Sequence, residues 1–139
     1  MTEGRSRAPV PFVVPLTLMA VTAVSILSTD MYTPSLPHLP GVFATTPETV
    51  KLTMSLNVLG FAVALLVFGP LSDRFGRRPV LLGGLAGFIV FTLGCAAAQS
   101  IGALIVARTL QGVMASVEAV IALAVIRDLY DEAGSVRIL

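Results

Sequence analysis

The sequence contains little charge, a single cysteine and no tryptophan. Only 12% of its 139 residues are charged, whereas soluble chains carry about 25%. Nine basic and eight acidic residues leave a formal net charge of +1, which provides no basic surface for a nucleic acid. Cys95 has no second cysteine with which to form a disulfide or a metal cluster. These features exclude an ordinary soluble domain and give no reason to expect a nucleic-acid partner.

The sequence also lacks the motifs of common catalytic sites. It has no nucleotide-binding loop, no nucleophile triad and no set of metal ligands. We therefore do not expect an enzyme, and we expect no cofactor and no metal. Without an ATP site, a proton gradient is the expected energy source for any transport.

Long uncharged stretches are what the sequence does have, and apolar residues make up 55% of it. The three stretches cover residues 8–29, 52–72 and 79–107. A helix that crosses the hydrocarbon needs about 20 apolar residues, so the third stretch is long enough for more than one span. We predict an all-α membrane protein with four transmembrane helices. They cover about residues 12–32, 50–71, 79–98 and 101–126.

Basic residues are distributed unevenly between the two sides that four spans define. One side would carry Arg5, Arg7, Arg74, Arg77, Arg78, Arg127 and Arg137. The other side would carry only Lys51, while Arg108 lies within the fourth span. Because Lys and Arg accumulate in cytoplasmic loops, we expect both termini in the cytoplasm of a multi-pass protein of the cell inner (plasma) membrane.

The connection between the second and third predicted helices carries the strongest motif. Its defining residues are Gly69, Asp73, Arg74, Gly76, Arg77 and Arg78. A bias of positive charge explains the arginines, but it does not explain the glycines or the aspartate. The arrangement resembles the signature loop of the major facilitator superfamily, Gly-x-x-x-Asp-Arg-x-Gly-Arg-Arg/Lys. The resemblance implies a conformational gate, and we expect Arg77 to contact Asp128 at the inner end of the fourth helix.

A second motif, Arg108-Thr109-Leu110-Gln111-Gly112, lies in the fourth predicted helix. Arg108 is about 10 Å from the start of that helix, and a charge inside a membrane is costly and usually faces a cavity. The pattern Arg-x-x-Gln-Gly resembles the drug:proton antiporters of the same superfamily. There the arginine is linked to proton transfer.

Three further stretches resemble the Bcr/CflA subfamily of bicyclomycin and chloramphenicol exporters. They are residues 28–37, 59–62 and 127–130. With the two motifs above, the resemblance covers nearly the whole chain. It implies proton-coupled export of small drug-like molecules, with drug, protons and the lipid bilayer as partners.

Four polar residues are candidates for the proton and substrate pathway, namely Asp30, Arg108, Gln111 and Glu118. Asp30 and Arg108 lie at similar depths, and we expect them to form an ion pair because a lone charge there would be costly. Gln111 and Glu118 share a helical face, since seven residues separate them. Glu118 is unusual for the family. Two interpretations of it stay open, a proton carrier that lines water and a solvated side chain near the inner end.

The resemblance also implies a larger architecture than these helices supply. The family has twelve helices in two six-helix halves, each built from inverted three-helix repeats. Residues 1–139 would form an incomplete N-terminal domain within the first six-helix bundle. We therefore expect a truncated chain that is inactive alone, with the missing C-terminal helices of the same transporter as its partners.

Two other classes of membrane protein compete with this interpretation. A dimeric four-helix exporter of the small multidrug resistance type fits the size, but those proteins depend on a glutamate in the first helix, where this chain has none. A non-transporting membrane subunit is compatible with the composition. Such a subunit gains nothing obvious from Asp30, Arg108 and Glu118 at membrane depth.

Overall fold

A computed structural model of the chain describes the backbone of residues 13–135 and the side chains of residues 16–124 other than 18, 21 and 29. Within residues 13–135 the chain forms five α-helices and one 3-10 turn, with no β-strand. The helices are α1 (Val13–Asp30), α2 (Leu39–Val42), α3 (Pro47–Phe75), α4 (Arg77–Ala96) and α5 (Ile101–Ser135). The predicted all-α class is therefore confirmed for the described residues.

Three of the described helices are long and apolar enough to cross a membrane. They are Pro47–Phe75, Arg77–Ala96 and Ile101–Ala124. Helix α1 is 18 residues long and corresponds to the first predicted span. Its place as a fourth span remains a prediction.

The ends of α3 differ from the predicted boundaries. Thr46 caps its start by accepting a hydrogen bond from the backbone N–H of Thr49 at 3.4 Å. At its other end, α3 continues to Phe75, so most of the predicted loop is helical. The last turn is closed by the bond from Gly76 N–H to the Ser72 carbonyl at 3.0 Å, and α4 begins at the next residue.

Helix α5 is the central element of the fold. It packs closely against both α3 and α4, and α1 also contacts it. At the α3–α5 crossing, a Cβ on Gly60 would lie 2.8 Å from the Thr109 carbonyl oxygen, and a Cβ on Gly112 would collide with the Asn57 carbonyl. Only hydrogen in place of a side chain permits the two backbones to approach this closely.

Glycines also determine how α4 meets α5. A Cβ on Gly84 would lie 2.7 Å from Val117, and one on Gly87 would lie 2.7 Å from the Met114 sulfur. Gly83 does not contribute to this contact, because no described atom lies within 4 Å of a Cβ placed on it.

Candidate functional site

Arg108 of α5 is buried inside the helix bundle, with 6% of its surface exposed. Its guanidinium carbon lies 3.5 Å from the centroid of the Tyr32 ring. Its Nη1 donates a hydrogen bond to Gln111 Oε1 at 3.1 Å. Its Nε has no hydrogen-bond partner among the described residues. The charge is thus held by an aromatic face and a neutral amide.

The expected Asp30–Arg108 ion pair is wrong for the described side chains. Asp30 is the last residue of α1 and is exposed. The chain turns after it, and the ring of Tyr32 covers the guanidinium instead. The spacing of residues along the axes of α1 and α5 does not determine how the chain turns after Asp30.

Gln111 connects three helices through its amide. Its Nε2 donates to Thr92 Oγ1 of α4 at 2.8 Å and to Ser28 Oγ of α1 at 3.4 Å. Its Oε1 accepts from Arg108 and lies 4.0 Å from the Cys95 sulfur. Cys95 therefore borders this polar cluster in addition to packing in α4.

Helix α3 joins the same cluster through two further contacts. Asn57 Nδ2 donates to the backbone carbonyl of Arg108 at 2.6 Å. The hydroxyl of Tyr32 lies 2.8 Å from Thr53 Oγ1, and Thr53 in turn donates to the Val50 carbonyl at 2.6 Å. The cluster thus links α1, its following turn, α3, α4 and α5.

Glu118 is buried on α5, with 3% of its surface exposed. Ser25 Oγ of α1 donates to Glu118 Oε2 at 2.6 Å. Burial of this degree rules out the interpretation of a solvated glutamate and leaves the cleft-lining one.

A cleft of about 390 Å³ opens between α1, α3 and α5. Its lining consists of Thr22, Ser25, Ile26, Asp30, Asn57, Phe61, Phe88, Gln111, Ala115, Glu118 and Ala119. Three of the four predicted pathway residues, Asp30, Gln111 and Glu118, therefore face one space. Arg108 joins them through its bond to Gln111. The volume lies within the roughly 300–1,000 Å³ typical of small-molecule sites.

The gate motif lies at the opposite end of α3. Gly69, Asp73 and Arg77 border a separate cleft of about 350 Å³, whose α5 wall is formed by Val120, Leu123 and Ala124. Gly76 has φ 88° and ψ 152°, a conformation that is open essentially to glycine alone. This explains the second glycine of the motif as a sharp reversal between two helices.

The arginines of the motif have different surroundings. The guanidinium of Arg74 lies 5.6 Å from the Phe75 ring centroid, and Arg78 is exposed. Arg77 is half-buried beside α5. The Arg77–Asp128 contact stays a prediction, because the side chain of Asp128 lies outside the described residues.

Comparison with known proteins decides the family. A sequence profile of the Major Facilitator Superfamily matches residues 18–136. The chain belongs to the major facilitator superfamily. Members of this superfamily are transporters, and the chain is accordingly a multi-pass membrane protein.

Individual relatives show which members of the superfamily have sequences similar to this chain. A chloramphenicol resistance protein of Pseudomonas aeruginosa is 41% identical over 104 residues, which cover 75% of this chain and 25% of that protein. Multidrug resistance protein D of Escherichia coli K12 is 34% identical over 116 residues, or 84% of this chain and 29% of that protein. An uncharacterized MFS-type transporter, YdgK of Bacillus subtilis, is 36% identical over 104 residues. The chain spans about a quarter of the length of these curated relatives.

Several polar residues of this cluster and cleft were not among the site residues predicted from the sequence. They are Ser25, Ser28, Tyr32, Thr53, Asn57 and Thr92. Asn57 had a usable signal, since it is the single asparagine of the sequence and lies within an uncharged stretch. Ser28 and Tyr32 lie within residues 28–37, one of the stretches that resemble the Bcr/CflA subfamily. Ser25, Thr53 and Thr92 had no such signal, because Ser and Thr can satisfy themselves on the carbonyls of their own helix.

Proposed function

We propose that the chain forms the first four transmembrane helices of a proton-coupled exporter of small drug-like molecules. The names of the Pseudomonas and Escherichia relatives support this substrate class. In this proposal residues 1–139 are part of an N-terminal six-helix bundle, and further helices of the same protein complete the cavity. We call that complete protein the full-length transporter.

The observation that carries the proposal is a buried polar cluster beside a cleft of drug-sized volume. The side chains of Arg108, Gln111 and Glu118 supply a positive charge, an amide and a carboxylate, and each is at most 6% exposed. Buried polar groups of this kind are costly in a membrane and mark substrate or ion pathways. We assign the cleft wall formed by Asp30, Gln111 and Glu118 to substrate and proton contact, and Arg108 to holding the local field positive.

The motif around Gly76 is assigned to the conformational gate. Asp73 and Arg77 border the same cleft as Val120, Leu123 and Ala124 of α5. A contact that forms in one state and breaks in the other would bias alternating access, which requires one helix bundle to rock against another. This assignment covers Gly69, Asp73, Arg74, Gly76, Arg77, Arg78 and Asp128, with both termini in the cytoplasm.

An accumulation assay tests the proposal. Cells that express the full-length transporter should retain less chloramphenicol than cells with empty vector, and a protonophore should abolish the difference. The initial export rate of the Arg108→Ala variant should be at least tenfold lower than that of the wild-type protein. Cells that express residues 1–139 alone should retain as much chloramphenicol as cells with empty vector. Alternating access requires one helix bundle to rock against another, and these residues form only one wall of the cavity. Export that is insensitive to the protonophore would contradict proton coupling.

A further inference from the structure

Glu118 is shared by two clefts on opposite sides of α1. The first is the cleft between α1, α3 and α5. The second, of about 400 Å³, lies between α1, α4 and α5. Ser25, Phe88 and Glu118 border both spaces. Glu118 therefore belongs to the wall that the two clefts share.

The carboxylate lacks a cationic partner among the described side chains. Its one hydrogen bond there comes from the neutral hydroxyl of Ser25 to Oε2. Arg108 is ten residues away on the same helix, or about 15 Å along its axis, and is already bound by Tyr32 and Gln111. A buried ionised carboxylate is unfavourable unless something pairs with it.

The other walls of the first cleft favour an organic partner over a metal ion. Phe61 and Phe88 line it with Ile26, Ala115 and Ala119. Aromatic faces attract cations, and the attraction is strongest where water is excluded. Among the described residues no group of three or more His, Cys, Asp or Glu side chains is placed to hold a metal ion.

We propose that the Glu118 carboxylate, with Phe61 and Phe88, forms a subsite for the positive charge of a lipophilic organic cation. This inference rests on the proposed export function and names a substrate class within it. Ser25 orients the carboxylate by its hydrogen bond to Oε2. Asp30 lines the same cleft but is exposed at the end of α1, so it contributes less to selection by charge.

A pair of ligands matched in size separates charge from shape. Methyltriphenylphosphonium is a monocation, and triphenylphosphine oxide is a neutral molecule of nearly the same form. Equilibrium binding of each is measured on the purified full-length transporter in lipid nanodiscs. We expect the wild-type protein to bind the phosphonium at least tenfold more tightly than the oxide.

Substitutions then locate the source of that preference. Glu118→Gln keeps the size and the acceptor for Ser25, and it should weaken phosphonium binding at least tenfold while changing oxide binding less than threefold. Glu118→Asp should keep the preference for the cation. Glu48→Gln removes an exposed acid in the first turn of α3 that borders neither cleft, and it should change neither affinity.

Each alternative outcome contradicts the inference in a different way. If Glu118→Gln lowered the affinity for both ligands equally, Glu118 would be a structural residue and not a charge-selective one. Loss of the preference in Asp30→Asn but not in Glu118→Gln would move the subsite to Asp30. No preference in the wild-type protein would overturn the inference while protonophore-sensitive chloramphenicol export persists. If the wild-type protein exports no drug at all, the proposed function itself fails.

Discussion

The guanidinium of Arg108 lies over the aromatic ring of Tyr32, with 3.5 Å between its central carbon and the ring centroid. The ring is itself fixed through its hydroxyl, which lies 2.8 Å from Thr53 Oγ1. The buried cation is thus stabilised by the electron-rich face of the Tyr32 ring and not by a carboxylate. The same two contacts connect the turn after α1 to α3 and α5. It leaves the two acids of the cleft, Asp30 and Glu118, outside the immediate surroundings of Arg108.

The Tyr32 ring should matter more than its hydroxyl. In Tyr32→Leu the ring face is lost, and we expect destabilisation by about 2 kcal/mol, the scale of a desolvated cation–π contact. In Tyr32→Phe only the bond to Thr53 is lost, at about 1 kcal/mol. Thermal unfolding of the full-length transporter in detergent compares them. Equal unfolding temperatures for the two variants would show that the ring face contributes nothing.

Close approach of α3 and α5 should make Gly112 intolerant of any side chain. A methyl group there would collide with the Asn57 carbonyl, which would push the helices apart and stretch the bond from Asn57 to the Arg108 carbonyl. We expect Gly112→Ala to cost about 1–3 kcal/mol, as overpacking does. Gly102→Ala is the matched control on the same helix, because no described atom lies within 4 Å of its added Cβ.

Size-exclusion profiles after heating provide the readout for this comparison. The Gly112→Ala protein should aggregate at a lower temperature than both the wild type and Gly102→Ala. If Gly112→Ala and Gly102→Ala aggregate at the same temperature, the α3–α5 crossing is looser than described.

The distribution of basic residues makes a prediction about sidedness. In a Cys95→Ser background, Val42→Cys places a thiol on α2 and Phe75→Cys places one at the end of α3. Both positions are well exposed, at 72% and 61%. A membrane-impermeant maleimide should label the first in intact cells and the second only after permeabilisation. The reverse pattern would invert the proposed topology.

Some features of the fold followed directly from the sequence. Uncharged stretches of sufficient length predicted the long helices. The shared helical face of Gln111 and Glu118, which both border one cleft, followed from their spacing of seven residues. These predictions depend on properties local to one helix, which the sequence carries in full.

Features that depend on two helices at once could not be predicted in the same way. Tyr32 replaces Asp30 beside Arg108 because of how the chain turns after α1. Likewise, Gly84 and not Gly83 faces α5, since the rotation of α4 about its axis is determined by packing against Val117 and Met114. The helical continuation of α3 to Phe75 was missed because four charged residues within 73–78 resemble a loop, although they also suit a helix end in water.

Substrate-coupled proton movement tests the central claim most directly. The full-length transporter is reconstituted in liposomes that contain a pH-sensitive dye, with a pH gradient imposed across the membrane. Addition of chloramphenicol to the side from which it is exported should dissipate the gradient faster than in empty liposomes, and Arg108→Ala should remove that acceleration. A drug that crosses the membrane through the wild-type protein with no accompanying proton flux would contradict the account of this chain as part of a drug:proton antiporter.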